Sequence, residues 1–314
     1  MNDAVSISKL DPSKELEEGK ESSDGNLIKV LDVEKTFSTI KWLHFAAFIF
    51  MGIQTIAYGA AGRTVNLNID ATVGFPVYCN SAIQSCSAFN KQPNVKNLGS
   101  SNPIWLITLF VALASFDHLV SFLYGHYYAA SAKEWLFVIC SNPFRMIEYS
   151  ISASIMAVAI SILSGISDVH LWFLIFVMNG VGMIIGLVIE LIPQSLSASD
   201  ISGDQVRDTL NSRFESLRKL CCGIGWVVIF TPWLVICCYF FQAAAKSTTM
   251  PNFVYAAFLG TLVLFVCFGV NSYLHSIRKA YPFVTAEIVY ICLSFTAKTF
   301  LAADVFGGLN ASTK

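Results

Sequence analysis

The stretch FVTAEIVYICLSFTAKTFLAADVF, residues 283–306, decides how this chain is read. It is long and apolar enough to cross a bilayer, yet Lys298 stands in its middle. A charged lysine at that depth costs at least ~3 kcal/mol on insertion scales. Snorkelling to the membrane surface would relieve it only near an end of the span, and Lys298 is remote from both ends. Two other remedies exist. The ammonium can pair with a buried carboxylate, or the amine can be converted, for example into a Schiff base with an aldehyde. The protonated form of that base still needs a counterion.

Composition extends the membrane reading to most of the chain. Of 314 residues, 55% are hydrophobic and 13% charged, against about 25% charged in soluble domains. The net charge of -1 argues against a nucleic-acid partner. Six further apolar segments precede the first one quoted, giving spans at 41–62, 103–127, 143–166, 169–192, 219–242, 252–276 and 283–307. Each is near the ~20 residues that a bilayer core requires, and none alternates as a barrel strand would. The expected fold is therefore an all-α, seven-transmembrane helix bundle over 37–308 in a lipid bilayer. Residues 1–36 are polar and charged and are expected to form a disordered tail. They carry no apolar stretch of the kind found in a cleavable signal. Residues 63–102 form a long loop and 309–314 a short tail. Residues 193–218, polar and rich in serine, are expected to form a second long connection.

Charge asymmetry orients the bundle. With the N-terminus in the cytosol, fourteen Lys and Arg fall inside, five fall outside and Lys298 lies between. The positive-inside rule then places the C-terminus outside, the reverse of the usual seven-helix receptor. Cys79 and Cys86 fall in the outer loop, where an oxidising exterior favours a disulfide between them. The other seven cysteines lie in or beside apolar spans and suit packing. No spacing of Cys or His suggests a metal site. Asn310-Ala-Ser is a glycosylation sequon on the outer side, a tripeptide common by chance.

The third span opens Asn142-Pro-Phe-Arg-Met-Ile-Glu-Tyr-Ser-Ile-Ser152, and Glu148 is its only carboxylate. Counting from the helix starts puts Glu148 ~10 Å and Lys298 ~22 Å into the membrane. Contact between them then depends on the long lysine arm leaning toward the start of its helix. Ser294 is four residues before Lys298 and Ser152 four after Glu148, each on the same helical face as the charge. His44, Asp117, His118, Asn179 and Asn271 are further polar residues within spans. Each alone suits an ordinary interhelical hydrogen bond; the set around a central lysine suggests function.

Pro-Phe-Arg-Met-Ile-Glu-Tyr-Ser-Ile-Ser on span three and Ser-Phe-Thr-Ala-Lys-Thr-Phe-Leu-Ala on span seven, with seven spans and a cytosolic N-terminus, resemble a heliorhodopsin. The resemblance covers about residues 37–308 and leaves out the N-terminal tail. It implies all-trans retinal on Lys298 as a protonated Schiff base, with Glu148 as counterion and Ser294, Tyr149 and Ser152 beside it. It implies that His44 and His118 form a histidine pair in a proton-accepting cavity, where the neighbouring Asp117 is a departure. Asn179 would lie along the polyene, and Trp233 and Phe268 are the choices for boxing it in, although packing alone would explain both. The resemblance further implies a homodimer, with a small β element in the first outer loop that suits the Val and Thr residues around 64–73.

The function so implied is a light-sensing photoreceptor that is neither an enzyme nor a pump and signals through a slow photocycle. A cytosolic signalling partner is not legible in the sequence. Glu190 and Glu287 lie on the cytosolic side and could form a proton path, which keeps a light-gated proton channel open as the alternative. Acids that merely face headgroups would look the same. A light-independent transporter with a buried Lys–Glu pair would show inverted repeats or broken helices, and none is found. A seven-helix ligand receptor is disfavoured by the topology. Only the retinal reading requires a coloured protein that light and hydroxylamine bleach.

Overall fold

The computed structural model describes residues 38–63, 69–75, 94–135, 142–193, 203–246, 250–280 and 283–312. The proposed tail 1–36 and Cys79, Cys86 and Cys140 lie outside them. Seven helices are long and apolar enough to span a membrane. They are α1 (Ser38–Ala61), α2 (Pro103–Trp135), α3 (Pro143–Leu163), α4 (Val169–Leu191), α5 (Asp204–Lys246), α6 (Asn252–Ser276) and α7 (Phe283–Ser312). A small sheet, β1 (Ile69–Phe75) and β2 (Asn94–Ser101), lies between α1 and α2 in sequence.

α3 is the central helix, packing against α2, α4, α5 and α6. Its start is written locally. Asn142 caps it by accepting from the Arg145 backbone N–H at 3.1 Å, and Pro143 occupies the first turn, where its missing N–H costs nothing. α4 is capped in the same way by Asp168, which accepts from the backbone N–H groups of His170 and Leu171. The core between helices is aliphatic and aromatic, including Phe110, Met156, Ile160, Trp233, Phe258 and Leu301.

β1 and β2 pair antiparallel from Ile69↔Ser101 to Phe75↔Asn94, with a register shift between Ala71 and Thr72 opposite Gly99. Gly99 has φ 141°, a backbone angle that only glycine takes up without strain. The sheet is anchored to the α3–α4 turn. The Thr72 N–H donates to Ser167 O at 2.8 Å, and the hydroxyls of Thr72 and Ser167 meet at 2.9 Å. A β element was expected in this loop near 64–73; it runs instead over 69–75 and 94–101.

Three boundaries differ from the hydropathy reading. α5 begins at Asp204, so most of the connection expected at 193–218 is helix. Its polar start hides a helical stripe of Leu210, Phe214 and buried Arg218, and Asp204–Arg207 and Glu215–Lys219 ion pairs lie on its surface. A hydropathy window sees the charges and misses the period. At 43 residues the helix is about 64 Å long, twice a bilayer core. α2 likewise continues to Trp135, past the expected end of span two at 127. α7 runs through Gly307-Gly308 to Ser312, so residues 309–312 of the expected tail are helical. Gly308 does not end the helix because its missing side chain is where the Phe253 ring packs, and Leu309 is buried beyond it.

Candidate functional site

Lys298 is 3% exposed, and its Nζ donates to Glu148 Oε1 at 2.7 Å. The axial offset that left this contact open in the sequence is closed by side-chain direction. From Arg145 to Glu148 is ~5 Å of helix, whereas from Glu287 to Lys298 is ~16 Å, yet both cross-helix pairs form. Lys298 and Arg145 each lean toward the start of their own helix. The two long arms therefore point along the same direction and absorb the mismatch. Glu148 Oε2 and Ser152 Oγ are buried and meet no hydrogen-bond partner among the described residues. Ser294 is 1% exposed and lines the same chamber as Lys298.

One helical turn away is a second ion cluster that sequence reasoning missed as a unit. Arg145 reaches Glu190 with one guanidinium nitrogen at 2.5 Å and Glu287 with the other. Asn142 donates to Glu287 through its amide at 2.6 Å and to Glu190 through its backbone N–H at 3.2 Å. All four residues are at most 5% exposed. The alternative that these acids face headgroups is therefore overturned. The signal was present: α3 starts, α4 ends and α7 starts at one end of the bundle, so Arg145, Glu190 and Glu287 had to share a level. In sequence Arg145 enters as one of the fourteen inside charges and as part of the span-three motif, with no partner assigned.

Aromatic rings separate the two clusters. Lys298 Nζ lies 5.1 Å from the centre of the Tyr149 ring, and the Arg145 guanidinium 3.9 Å from that of Tyr290. Tyr149 donates its hydroxyl to Tyr290 O at 3.2 Å, and its ring meets Phe268 edge-on at 5.4 Å. On another side, His44 and His118 join through their Nδ1 atoms at 2.8 Å. Asp117 is buried beside this pair, within electrostatic reach of both Glu148 and Lys298.

The chamber at Lys298 is lined by Tyr149, Ala153, Met156, Met183, Phe265 and Phe268, with Ser294 and Ala297. Through Tyr149, Met183, Phe265 and Phe268 it shares walls with a larger cavity that reaches Trp226 on α5 and Gly182, Gly225 and Gly269. Phe268, chosen from sequence, is a wall residue of both cavities. Phe265, Met156 and Met183 were not singled out, because nothing in an apolar helix marks which face turns inward. Trp233 lines neither cavity; it stands behind Phe265, ring to ring at 5.0 Å. Asn179 is fully buried and donates to Ser154 Oγ at 3.3 Å.

The arrangement defines a seven-helix membrane protein built around one buried lysine, a carboxylate partner and an aromatic chamber. A heliorhodopsin family model matches residues 40–309, and the chain belongs to the heliorhodopsin family. It is thus a multi-pass integral membrane protein of a light-sensing rhodopsin type, whose family implies a retinal chromophore. Among solved structures it is similar to a light-driven proton pump from Leptosphaeria maculans, at 13% identity and TM-score 0.48, covering 87% of this chain and 95% of that one. It is similar also to the light-driven proton pump rhodopsin of Coccomyxa subellipsoidea, at 15% identity and TM-score 0.48, covering 85% and 95%. Exiguobacterium sibiricum rhodopsin matches at 11% identity and TM-score 0.47, covering 87% and 97%. No curated protein matches the sequence. The residues present fit retinal: a buried amine in an apolar chamber that shares walls with a second apolar cavity, a carboxylate beside the amine and rings along the walls.

Proposed function

We propose that the protein is a non-pumping photoreceptor that holds all-trans retinal on Lys298 with Glu148 as the counterion. The observation that carries this reading is the buried 2.7 Å contact between Lys298 Nζ and Glu148 Oε1 at the mouth of an aromatic chamber. When bound, retinal forms a Schiff base with the lysine nitrogen and supplies absorption of visible light and isomerisation. Glu148 balances positive charge at Nζ, and its second oxygen leaves it able to take a proton from that atom. Tyr149 and Phe268 wall the chamber, while Ser152 and Ser294 supply hydroxyls near the nitrogen. The His44–His118 pair can accept a proton at an imidazole nitrogen, which keeps proton exchange local. A pump needs acceptor and donor on opposite sides of the nitrogen. Here Glu148, Glu190 and Glu287 all lie toward the start of α3, and beyond Ser154 that helix is apolar to Ser161.

One observation favours a second reading, a light-gated proton channel: Glu190 and Glu287 are buried one turn from Glu148. Arg145 stands between them and closes that route in the structure described, which is why the sensor reading is preferred. Voltage clamp of cells expressing the protein tests both. The sensor gives no sustained photocurrent at zero voltage under continuous light; a steady current that follows the proton gradient replaces it with the channel. We further propose a cytosolic N-terminus, a homodimer, a Cys79–Cys86 disulfide and no enzymatic activity. The exposed apolar Val95 and Leu98 of β2 are consistent with burial against a second copy. Accessibility labelling of engineered termini and cross-linking in membranes test the first two.

A further inference from the structure

Among the buried polar atoms that meet no hydrogen-bond partner among the described residues, three lie away from the ion clusters on neighbouring helices: Asn179 Oδ1 on α4, Trp233 Nε1 on α5 and Thr261 Oγ1 on α6. Helix register points them toward one another. Gly182 lies so close to Ile229 that a side chain there would clash. α5 returns antiparallel to α4, and the same register is kept where Gly225 meets Ile185, so one turn along it sets position 179 against position 233. The Trp233 ring in turn meets Phe258 at 6.5 Å and Phe265 at 5.0 Å. Thr261 is three residues after one and four before the other, on the same face of α6, and so faces that ring.

Their orientation is informative. Asn179 donates its amide to Ser154 Oγ, which itself donates to Ser150 O at 2.7 Å; Oδ1 is thereby turned the other way as an acceptor. Thr55, Thr108, Thr209 and Thr231 each donate to the carbonyl four residues back. Thr261 does not. Buried polar groups are rarely left without a partner, and one donor beside two oxygens matches the needs of a single hydroxyl-bearing oxygen.

We propose that Asn179, Trp233 and Thr261 form a binding site for one hydroxyl oxygen, one ring beyond the chromophore chamber. This rests on the retinal reading for the chamber's occupant, though not for the polar site itself. The oxygen accepts from Trp233 Nε1–H and donates to Asn179 Oδ1 or Thr261 Oγ1. It can come from a buried water, which typically makes about three such bonds. It can instead come from a hydroxyl on the ring of a retinoid whose aldehyde end meets Lys298. Phe265 lines the chamber and edges onto Trp233, so the second source requires the Phe265 ring to turn aside.

The test uses the full chain in lipid nanodiscs. The first arm is ultraviolet resonance Raman of the protein before retinal is added, with Trp233→Phe subtracted to isolate one indole. We expect a hydrogen-bonded N–H, shifted toward the free-indole position in Thr261→Val and restored in Thr261→Ser. If Trp233→Phe does not fold, the difference between wild type and Thr261→Val supplies the same band. The second arm is competition between all-trans retinal and its 3-hydroxy derivative for pigment formation. A preference of tenfold or more for the hydroxylated aldehyde, abolished in Thr261→Val, assigns the oxygen to the chromophore. A hydrogen-bonded indole without that preference assigns it to water. A free indole N–H with both aldehydes and no preference overturns the site. A hydrogen-bonded indole in a chain that forms no pigment with either aldehyde sinks the retinal reading alone.

Discussion

The two buried ion clusters share α3 and α7 but are built to opposite ends. At the centre, one lysine meets one carboxylate, and half of that carboxylate has no partner among the described residues. At the end of the bundle, one arginine meets two carboxylates, and Asn142 donates to both acids as well. In ionised form the first is neutral and the second carries one excess negative charge. Truncating one partner of a buried ion pair is severe because it strands the other. The central pair is therefore one proton from a different state, whereas the terminal cluster resists any change. The Tyr149–Phe268–Tyr290 rings between them keep the mobile charge apart from the fixed one.

The largest expected effect removes the central cation. Lys298→Ala should reach the membrane and yield no visible pigment with all-trans retinal, because Lys41, Lys96, Lys219, Lys246 and Lys279 are none of them buried. A normal visible band in this variant would end the assignment of Lys298. The same substitution strands Glu148, so Lys298→Ala with Glu148→Gln should be more stable than Lys298→Ala alone in thermal unfolding of the retinal-free protein.

Arg145→Leu breaks the fixed cluster instead. It leaves Glu190 and Glu287 buried, adjacent and without their cation, and should cost about 3–5 kcal/mol. Thermal unfolding should show a large loss, accompanied by a shift in any pigment band that is small by comparison. If Arg145→Leu instead abolished colour while leaving stability intact, the separation of a mobile from a fixed cluster would be wrong.

Much of this was open to a reader of the sequence. A lysine in the middle of residues 283–306 declares itself, because hydrocarbon is unforgiving of charge. Glu148 was legible as the only carboxylate of its span, and His44 and His118 as polar residues in apolar helices. What stayed hidden was set by tertiary direction. The Glu148–Lys298 contact depends on which way two long side chains lean, and the chamber walls depend on which face of an evenly apolar helix turns inward. Phe265 and Trp233 are chemically similar neighbours of the site, yet only Phe265 lines it. The polar start of α5 was hidden for a different reason: outside the membrane, helical period and not hydropathy identifies a helix, and Leu210, Phe214 and Arg218 carry that period among charges.

Glu148→Gln sharpens the central half of the comparison. An adjacent negative charge favours the protonated form of a cationic nitrogen, so the variant should lose its visible band at lower pH than the wild type. Pigment that remains protonated should absorb further to the red unless a solution anion takes the place of the carboxylate. Titration of both proteins by absorbance decides it. An unchanged titration and colour would pass the counterion role to another group, with buried Asp117 the first to examine.

Glu190→Gln should have the smallest effect, and its size separates the sensor from the channel. Glutamine keeps an oxygen for the Arg145 guanidinium, Glu287 still neutralises the arginine, and the cluster's excess negative charge disappears. The substitution weakens the ion pair with Arg145 to a neutral acceptor and gives up the 3.2 Å bond from the Asn142 backbone N–H, long beside the 2.6 Å bond that Asn142 makes to Glu287. Hydrogen bonds to charged groups are worth about 1.5–3 kcal/mol, so unfolding should shift by less than in Arg145→Leu and the visible band hardly at all. Glu287→Gln should cost more, since both of its oxygens accept from charged or closely held donors. If Glu190 is only a strut for Arg145, its removal changes no electrical signal, because there is none to change. If the wild type instead passes a sustained photocurrent that Glu190→Gln abolishes while stability and colour hold, the fixed cluster is the gate of a proton path, and the contrast between the two halves becomes the mechanism of a channel.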